Sequence, residues 1–430
     1  MVKELLKKFI PSFLISWYHF SLAFLGAVVY RFPSRKMIVI GVTGTKGKTT
    51  TCNIIAQILN LAGLKTGMAS TVNFRIGDRE WINKTKQTML GRFKLQKLLS
   101  QMLKEGCKFA VVETSSEGIL QHRHRFIDYN VAVLTNLSPE HIERHGNFEN
   151  YRAAKMKLFE KVSQKKEGAG IYNLDDKNID YFLKYLIKNK FGFTKEASEK
   201  LKNRIQIKDI ELSANKTKFK ISNIDFESKI IGEFNVYNLA CAICAVLSQG
   251  ITLEKIREVL PKVNPAPGRL EVINGGQDFI IIVDYSYEPT SLENALKAVK
   301  VFNPNKIISV FGSAAGGRDK WRRPVMGEVA NKYADLIIVT TDDPYDENPE
   351  KIIDDILTGV FKDERRSLNE NVFKVIDRRE AIKKSLSLAG KDDLVLISGK
   401  GGEVWMNVAG GKKIPWDDRE VVLDEFQKLD

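Results

Sequence analysis

The sequence is poor in cysteine and contains no repeated or low-complexity segment. Its 430 residues include only four cysteines, which are too few and too scattered for a disulfide framework and which suit a reducing cytoplasm. Cys241 and Cys244 form a CxxC pair inside "NLACAICAVL", an apolar helical run. We therefore interpret them as small buried side chains rather than as a redox or zinc site. The disulfide-stapled and repeat classes are excluded.

Motifs for nucleic-acid recognition are also missing. The formal net charge of +14 agrees with nucleic acid, a membrane surface or acidic substrates as partners. No aromatic ribonucleoprotein motif, zinc finger or basic recognition helix accompanies that charge. We therefore expect no nucleic-acid partner, and the charge agrees with polyanionic small molecules.

The length and the order of apolar runs predict a multidomain α/β protein. From Lys36 onward, short β-rich runs alternate with amphipathic helical stretches, which is typical of βαβ units around a mainly parallel sheet. Alternating residues between about 205 and 230 predict a small antiparallel patch on the same domain. Two prolines and a glycine between Pro265 and Gly268 indicate a hinge, after which a second, Rossmann-like α/β domain begins. The predicted parts are residues 1–35, 36–267 and 268–430.

Residues 9–30, "FIPSFLISWYHFSLAFLGAVVY", are long enough to cross a bilayer, but proline, serine and histidine interrupt them. No small-residue cleavage site follows, so a removed signal peptide is not expected. Two interpretations remain open. One is a helix or helical hairpin packed on the protein or a partner, and the other is a membrane-surface anchor with Trp17, Tyr18 and Tyr30 at the interface. A single membrane span ranks third.

The stretch "IGVTGTKGKTTT" predicts a phosphate-binding loop. It departs from the strict Walker pattern, because Val42 stands at the first glycine position and glycines occupy 41 and 44. The remainder has the expected order of apolar strand, glycine-rich turn and helix start. Lys48 would neutralise the β and γ phosphates, and the Thr49 hydroxyl would ligate Mg²⁺.

Ten segments in order resemble the Mur ligase family, most closely its MurE-type enzymes, which add the third peptide residue to UDP-N-acetylmuramoyl-dipeptide. They cover roughly residues 36–430 and read "TGTKGKTTT", "VVETSS", "LTNLSPEHIERHG", "YRAAKMKLF", "FNVYNLACAI", "PGRLEVI", "VDYSYEPTSLENAL", "VFGSAAGGRDKWRRPVMGEVA", "TTDDPYDENPEKI" and "GKGGE...DDRE". The resemblance implies an ATP- and Mg²⁺-dependent, amide-forming ligase that works through an acyl phosphate. Lys46 stands where the family usually has asparagine; it is either a further positive charge near the triphosphate or a solvated loop residue.

The resemblance also implies the catalytic and ATP-binding residues. Those with catalytic roles are Lys48, Glu113, His141 and Lys155. Metal ligation is assigned to Thr49, Glu113, His141 and Lys155, where Lys155 occupies the position of a lysine carbamylated by CO₂. Contacts to the nucleotide are assigned to Gly44, Thr45, Lys46, Gly47, Lys48, Thr49, Thr50, Asn136, Asn235, Asn238, Arg269 and Asp284.

The substrate residues implied by the resemblance fall into two groups. The muramoyl-dipeptide acceptor is assigned to Thr88, Ser115, Gln121 and Arg123. The incoming amino acid is assigned to Asp342, Asp343, Tyr345, Gly399 and Glu403. Tyr345 replaces the arginine of diaminopimelate-adding members, so diaminopimelate is disfavoured, and Asp343 could instead suit a side-chain ammonium such as that of lysine.

The sequence departs from the family most at its N-terminus, since only some 36 residues precede the first ATPase strand instead of a UDP-binding domain. The enzyme either holds the nucleotide weakly or through the hydrophobic segment, or it acts on another carboxylate, including a membrane-bound one. We predict a cytoplasmic ligase, with residues 9–30 as a candidate peripheral contact to the membrane or a partner. The alternatives are a folylpolyglutamate-synthetase-like ligase and a non-catalytic, membrane-associated homologue.

Overall fold

The computed structural model describes residues 11–85, 87–139, 145–316 and 319–428, which form two compact units. The first unit takes in the chain up to Glu211 together with Thr217–Ile230 and Asn235–Asn264. The second contains Leu212–Lys216, Ile231–Phe234 and the chain from Pro265 onward. The change of unit after Asn264 lies beside the hinge predicted from the sequence.

An 11-stranded sheet organises the first unit, in the order β11-β10-β9-β8-β7-β6-β1-β5-β2-β3-β4. Its strands are β1 (Ile38–Thr43), β2 (Thr66–Ala69), β3 (Asn73–Ile76), β4 (Arg79–Ile82), β5 (Phe109–Glu113), β6 (Tyr129–Leu134), β7 (Ala169–Asn173), β8 (Asn189–Thr194), β9 (Arg204–Leu212), β10 (Thr217–Ile221) and β11 (Ile224–Ser228). The seven strands from β9 to β2 pair in parallel, while β10 with β11, β2 with β3, and β3 with β4 pair antiparallel. The predicted mainly parallel sheet with an antiparallel patch is confirmed.

Helices cover both faces of this sheet. They are α1 (Ser12–Val29), α2 (Lys48–Leu61), α3 (Arg92–Lys104), α4 (Ser116–Leu120), α5 (Phe148–Ser163), α6 (Ile179–Leu183), α7 (Glu233–Leu247) and α8 (Leu253–Val259). Neighbouring residues of β1 enter different cores: Ile40 packs with α2 and α7, and Val39 packs with α3 and α5. Burial on both faces explains why these strands read as continuous apolar runs.

The second unit is a smaller α/β sandwich with the strand order β12-β13-β17-β14-β15-β16. Its strands are β12 (Glu271–Ile273), β13 (Ile280–Asp284), β14 (Ile307–Phe311), β15 (Leu336–Val339), β16 (Val372–Lys374) and β17 (Leu394–Ser398), with a separate hairpin of β18 (Trp405–Val408) and β19 (Lys412–Pro415). Its helices are α9 (Pro289–Val299), α10 (Arg322–Tyr333), α11 (Pro349–Val360), α12 (Arg378–Leu388) and α13 (Asp418–Phe426). Only β12 runs antiparallel to its neighbour within the six-stranded sheet.

The four cysteines are buried and unpaired, and burial raises the pKa of the Cys241 and Cys244 thiols. Cys241 and Cys244 lie on the core-facing side of α7, as their apolar context predicted. Within the part of the chain that the structure describes, no helix combines the length and apolarity needed to cross a bilayer.

Candidate active site

The turn between β1 and α2 has the form of a phosphate-binding loop. Gly47 precedes α2 with a left-handed φ of 78°, and a Cβ built on it would lie 2.0 Å from Asn238 Oδ1. A Cβ on Gly44 would lie 1.9 Å from Thr135 Oγ1. Only glycine fits either position, so the backbone amides stay accessible at the N-terminus of α2. Amides without partners and the helix dipole both attract anions there.

Two lysines converge on this loop. Lys48 Nζ donates to the Gly44 carbonyl at 3.0 Å and to the Thr45 carbonyl at 2.7 Å. Lys155, on α5, donates to the same Gly44 oxygen at 2.6 Å, and its side chain is buried over the Tyr151 ring. Since both contacts end on one oxygen, the two nitrogens are at most 5.6 Å apart. The structure thus brings together two residues that are 107 positions apart in sequence.

The Glu113 carboxylate lies beside the first turn of α2, next to the phosphate-binding loop. It is the last residue of β5, is buried, and accepts from Thr49 Oγ1 at 3.0 Å and from the Thr71 backbone amide at 2.8 Å. A hydroxyl and a carboxylate oxygen are the hard ligands that Mg²⁺ prefers, and Mg²⁺ commonly takes one or two carboxylates together with waters and phosphates. This pair therefore fits the metal implied for the site. No cluster of three or more His, Cys, Asp or Glu side chains suited to a metal occurs among the described residues.

Strand ends fix the backbone of the loop. Asn136, which follows β6, accepts from the Lys46 amide at 3.0 Å and donates to the Lys46 carbonyl at 3.1 Å. Thr135 Oγ1 donates to that carbonyl at 2.6 Å, and the Asn136 carbonyl accepts from the Thr45 amide at 2.9 Å. The two nucleotide-binding candidates on α7 are hydrogen-bonded to each other, since Asn238 donates to Asn235 at 2.8 Å. Asn238 also lies beside Gly47. Thr50 is buried in the first turn of α2.

The four predicted acceptor residues lie around one turn. Ser115 caps α4 by accepting from the Gly118 amide at 3.1 Å. Nε and Nη2 of Arg123 both donate to Gln121 Oε1, at 3.1 and 2.7 Å. Arg123 also donates to the carbonyl of Met89, the neighbour of Thr88. This turn therefore presents a half-buried guanidinium beside polar side chains.

A second guanidinium makes this turn more basic. Arg92 Nε donates to the Gln121 carbonyl at 2.8 Å. Burial and the nearby Arg123 lower the pKa of Arg92 to about 10, and burial also lowers the pKa of Arg123. Both groups remain cations at neutral pH, and an anionic acceptor would relieve their mutual repulsion.

In the second unit, Arg269 and Asp284 lie together. The Arg269 guanidinium stacks 4.5 Å from the centroid of the Tyr285 ring. Asp284 ends β13 and accepts from the Leu270 amide at 2.8 Å and from the Ser286 hydroxyl. Burial raises the pKa of Asp284, although Ser286 and Arg269 partly offset that effect.

The amino-acid candidates form a buried charge cluster around Lys400. Its Nζ lies 2.6 Å from Asp343 Oδ1, 2.9 Å from Glu403 Oε2 and 3.5 Å from Asp342 Oδ1. Burial opposes the charge on Lys400, but the carboxylates prevail and raise its pKa. Asp343 also accepts from the backbone amide and the side chain of Asn407, each at 2.8 Å. The carboxylate predicted to hold a substrate ammonium is thus already bound to an ammonium of the chain itself.

The remaining members of this group occupy turns at strand ends. Gly399 follows β17 with φ 117°, and a Cβ there would lie 2.6 Å from Asp342 Oδ2. Tyr345 has φ 50°, and its ring packs against Gly316. Glu403 accepts from the Tyr285 hydroxyl at 3.1 Å. The structure brings Asp342, Asp343, Gly399 and Glu403 together at the carboxyl ends of β15 and β17, where ligands of open α/β sheets bind.

Besides Lys400, three supporting residues were not predicted from the sequence: Arg378, Asp418 and His145. Arg378 is buried and bonds Asp418 twice, at 2.8 and 2.7 Å, and it also donates to the Ser398 carbonyl at the start of the Gly399 turn. His145 is buried and pairs with Ser116 Oγ at 3.1 Å; burial and the nearby Lys155 lower its pKa. The "HIERHG" and "DDRE" motifs contain His145 and Asp418 and were the only signals for them. The predicted ligand His141 lies outside the described residues.

Fold and site together define a two-unit α/β protein with a phosphate-binding loop in the first unit and a buried charge cluster at the strand ends of the second. The family descriptions "Mur ligase middle domain" and "Mur ligase, glutamate ligase domain" match residues 42–246 and 268–401. A curated relative from Geobacillus kaustophilus (strain HTA426), named UDP-N-acetylmuramoyl-L-alanyl-D-glutamate–2,6-diaminopimelate ligase, is 37% identical over 425 residues, which span 96% of this chain and 83% of the relative.

Solved structures agree. One with the same ligase name superposes with a TM-score of 0.64 at 31% identity, covering 91% of this chain and 79% of that one. A folylpolyglutamate synthase from Mycobacterium tuberculosis shares the fold, with a TM-score of 0.69 at 14% identity over 88% of this chain and 92% of that one. The chain belongs to the Mur ligase family, and the resemblance inferred from its motifs is confirmed.

Proposed function

We propose that this protein uses ATP to add an amino acid to UDP-N-acetylmuramoyl-L-alanyl-D-glutamate, the third-residue step of peptidoglycan precursor synthesis. The observation that carries the proposal is the convergence of Lys48, Thr49, Glu113 and Lys155 at one phosphate loop. The curated relatives bear the name of this reaction, and the chain spans about four fifths of their length. We infer that the reaction takes place in the cytoplasm, where ATP is available.

The first step joins two anions, a substrate carboxylate and the γ-phosphate. A carboxylate oxygen attacks the γ-phosphorus, the bond to the bridging oxygen breaks, and ADP leaves with that electron pair. Lys48 and the loop amides offset the charge on the phosphates. Thr49 and Glu113 would hold Mg²⁺, which supplies further charge neutralisation when bound.

In the second step the amine attacks the acyl carbon. The carbon–oxygen bond to phosphate breaks, inorganic phosphate leaves, and the nitrogen loses a proton as the amide forms. We assign acceptor binding to Thr88, Ser115, Gln121 and Arg123, because Arg123 supplies a cation for an anionic substrate. Arg269 and Asp284 are assigned to the γ-phosphate and the ribose.

We propose that Lys155 works as a carbamate. As an ammonium it shares one carbonyl with Lys48, and two like charges within 5.6 Å repel each other by about 3 kcal/mol at an effective dielectric constant of 20. Addition of CO₂ to the neutral amine, with loss of one proton, converts that repulsion into attraction. It also gives Lys155 a carboxylate-like group, which suits the metal-ligand role assigned to it.

We propose that the incoming amino acid carries no distal carboxylate. Tyr345 stands where diaminopimelate-adding members have arginine, and a phenol cannot form a bidentate ion pair. Lys400 contacts Asp343 at 2.6 Å and Glu403 at 2.9 Å but Asp342 only at 3.5 Å, so Asp342 is the candidate for the substrate ammonium, and Gly399 lets its turn approach Asp342 closely. The name of the relatives points to diaminopimelate, so the identity of the third residue is the most informative feature of the product.

The test is phosphate release by the purified chain with ATP, Mg²⁺, the UDP-muramoyl-dipeptide and single amino acids, with the product mass determined. We expect release only when acceptor and amino acid are both present, with lysine preferred over diaminopimelate. Release without acceptor, or none with any amino acid in protein that binds ATP, contradicts the proposal. The first result would indicate uncoupled ATP hydrolysis. The second would indicate another acceptor or a non-catalytic role.

A further inference from the structure

Helix α1 has its large apolar side chains on the outside. Phe13 and Trp17 lie one turn apart, and 68% and 71% of their surfaces are exposed; Phe20 and Phe24 follow at helical spacing, are 38% and 49% exposed, and pack one edge against Phe126. The adjoining Leu14, Tyr18, Leu25, Val28 and Val29 are exposed as well. A surface helix of a globular protein has the opposite arrangement. A contiguous apolar face of this size marks an interaction surface.

The inward face of α1 carries small and polar residues. Ala23 and Ala27 are buried, and Gly26 lies against Phe93 of α3. Ser16 Oγ pairs with His122 Nε2 at 2.8 Å. These contacts, together with the packing of Phe20 and Phe24 on Phe126, seat the helix on the first unit and leave Phe13 and Trp17 pointing outward.

The surroundings of α1 are basic. Neither α1 nor α3 contains an acidic residue, and Glu4 is the only acidic residue among the first 77. Arg31, Arg35 and Lys36 are exposed just after α1, and Lys94 and Lys97 are exposed on α3, which packs against it. An apolar face with tryptophan and tyrosine and a cationic border is complementary to an anionic interface.

We propose that α1 docks the protein onto an anionic phospholipid surface, with Phe13, Trp17 and Tyr18 entering the headgroup region and the basic residues beside them contacting lipid phosphates. A second copy of the chain is a poorer occupant, because its identical cations would face these. His122, bonded to α1, lies between Gln121 and Arg123, so docking would place the assigned acceptor turn next to the membrane. That last consequence rests on the proposed function; the docking itself does not.

The experiment is co-sedimentation of the full chain with vesicles of phosphatidylcholine containing 30% phosphatidylglycerol, or of phosphatidylcholine alone. We expect binding to the anionic vesicles, at least ~10-fold weaker binding to the neutral ones, and loss of binding in 0.5 M NaCl. Phe13→Ser/Trp17→Ser should weaken binding ~10-fold or more. The control Leu186→Ser removes an apolar side chain that is 88% exposed elsewhere and should bind like the unaltered chain.

Lys94→Glu/Lys97→Glu tests the charges without altering α1, and Lys412→Glu/Lys413→Glu is its matched control on the exposed hairpin of the second unit. The first pair should weaken binding ~10-fold or more and the second should not. Failure to sediment with anionic vesicles, equal binding by the α1 variant, or dimerisation that Phe13→Ser/Trp17→Ser abolishes would each overturn the proposal. Docking and ligase activity are measured separately, so either can fail without the other.

Discussion

Replacing Lys155 with methionine removes the amine that a carbamate requires and keeps the length of the buried side chain. The variant loses one charged hydrogen bond to Gly44, worth about 1.5–3 kcal/mol. Relative to the ammonium form of Lys155, it is also relieved of about 3 kcal/mol of repulsion from Lys48. These effects nearly cancel, so in buffer freed of CO₂ we expect the free energy of unfolding to differ from that of the unaltered protein by less than about 2 kcal/mol.

Activity should respond very differently. Loss of one preorganised charge at a reacting phosphate typically slows turnover about 10²- to 10³-fold, and loss of a metal ligand adds to this. We therefore expect ligation by Lys155→Met to fall by about 10³-fold or more while ATP still binds. Turnover by product mass, ATP affinity by calorimetry and stability by urea denaturation separate these effects.

The matched control is Lys157→Met, an exposed lysine two residues further along α5, which should keep full activity. In the unaltered protein, ¹³C-labelled CO₂ should give a carbamate resonance that Lys155→Met lacks. Full activity of Lys155→Met, or an active unaltered protein without that resonance, would refute the reasoning. Loss of ATP binding would show instead that the ammonium itself holds the nucleotide loop.

Three further predictions concern specificity and stability. Tyr345→Arg should raise kcat/KM for diaminopimelate relative to lysine by about 10-fold or more, because it supplies a charged partner for the distal carboxylate; an unchanged ratio in competition assays would contradict the specificity argument. Asp418→Asn leaves Arg378 buried without its carboxylate and should cost about 3–5 kcal/mol in urea denaturation; a cost below about 1 kcal/mol, as expected for exposed pairs, would contradict it. Burial, and next Lys161, lower the pKa of His124 to about 3. Because the folded protein resists protonation of His124, the free energy of unfolding should fall by up to about 1.4 kcal/mol per pH unit from pH 6.5 toward 3. His124→Leu should remove this contribution. Equal shifts of the urea midpoint in both proteins between pH 7 and 5 would contradict the prediction.

The sequence predicted what depends on local order. A glycine-rich turn between an apolar strand and a helix is recognisable within "IGVTGTKGKTTT", and alternating runs predicted the parallel sheet. Glu113 and Asn136 were assigned through the motifs that contain them, and the structure places both at the ends of parallel strands, where polar residues collect at one edge of a sheet. The CxxC on α7 was correctly interpreted as core because its neighbours are apolar.

Long-range packing decided the features that the sequence did not predict. The approach of Asn238 to Gly47 joins segments 191 residues apart, and the burial of Lys400 against Asp343 depends on how three turns meet. The sequence of the acidic loop did not indicate that Asp343 binds Lys400 of the same chain. The outward aromatic face of α1 depends on contacts of its small residues with α3, which periodicity cannot distinguish from core packing.

Transfer of oxygen from the acceptor to phosphate tests the central claim most directly. The UDP-muramoyl-dipeptide would be labelled with ¹⁸O in its reacting carboxylate and converted with ATP, Mg²⁺ and the preferred amino acid. An acyl phosphate transfers one carboxylate oxygen to the departing phosphate, so the account predicts inorganic phosphate heavier by one ¹⁸O for each amide formed. Unlabelled phosphate released in step with product would contradict activation of the carboxylate at this loop.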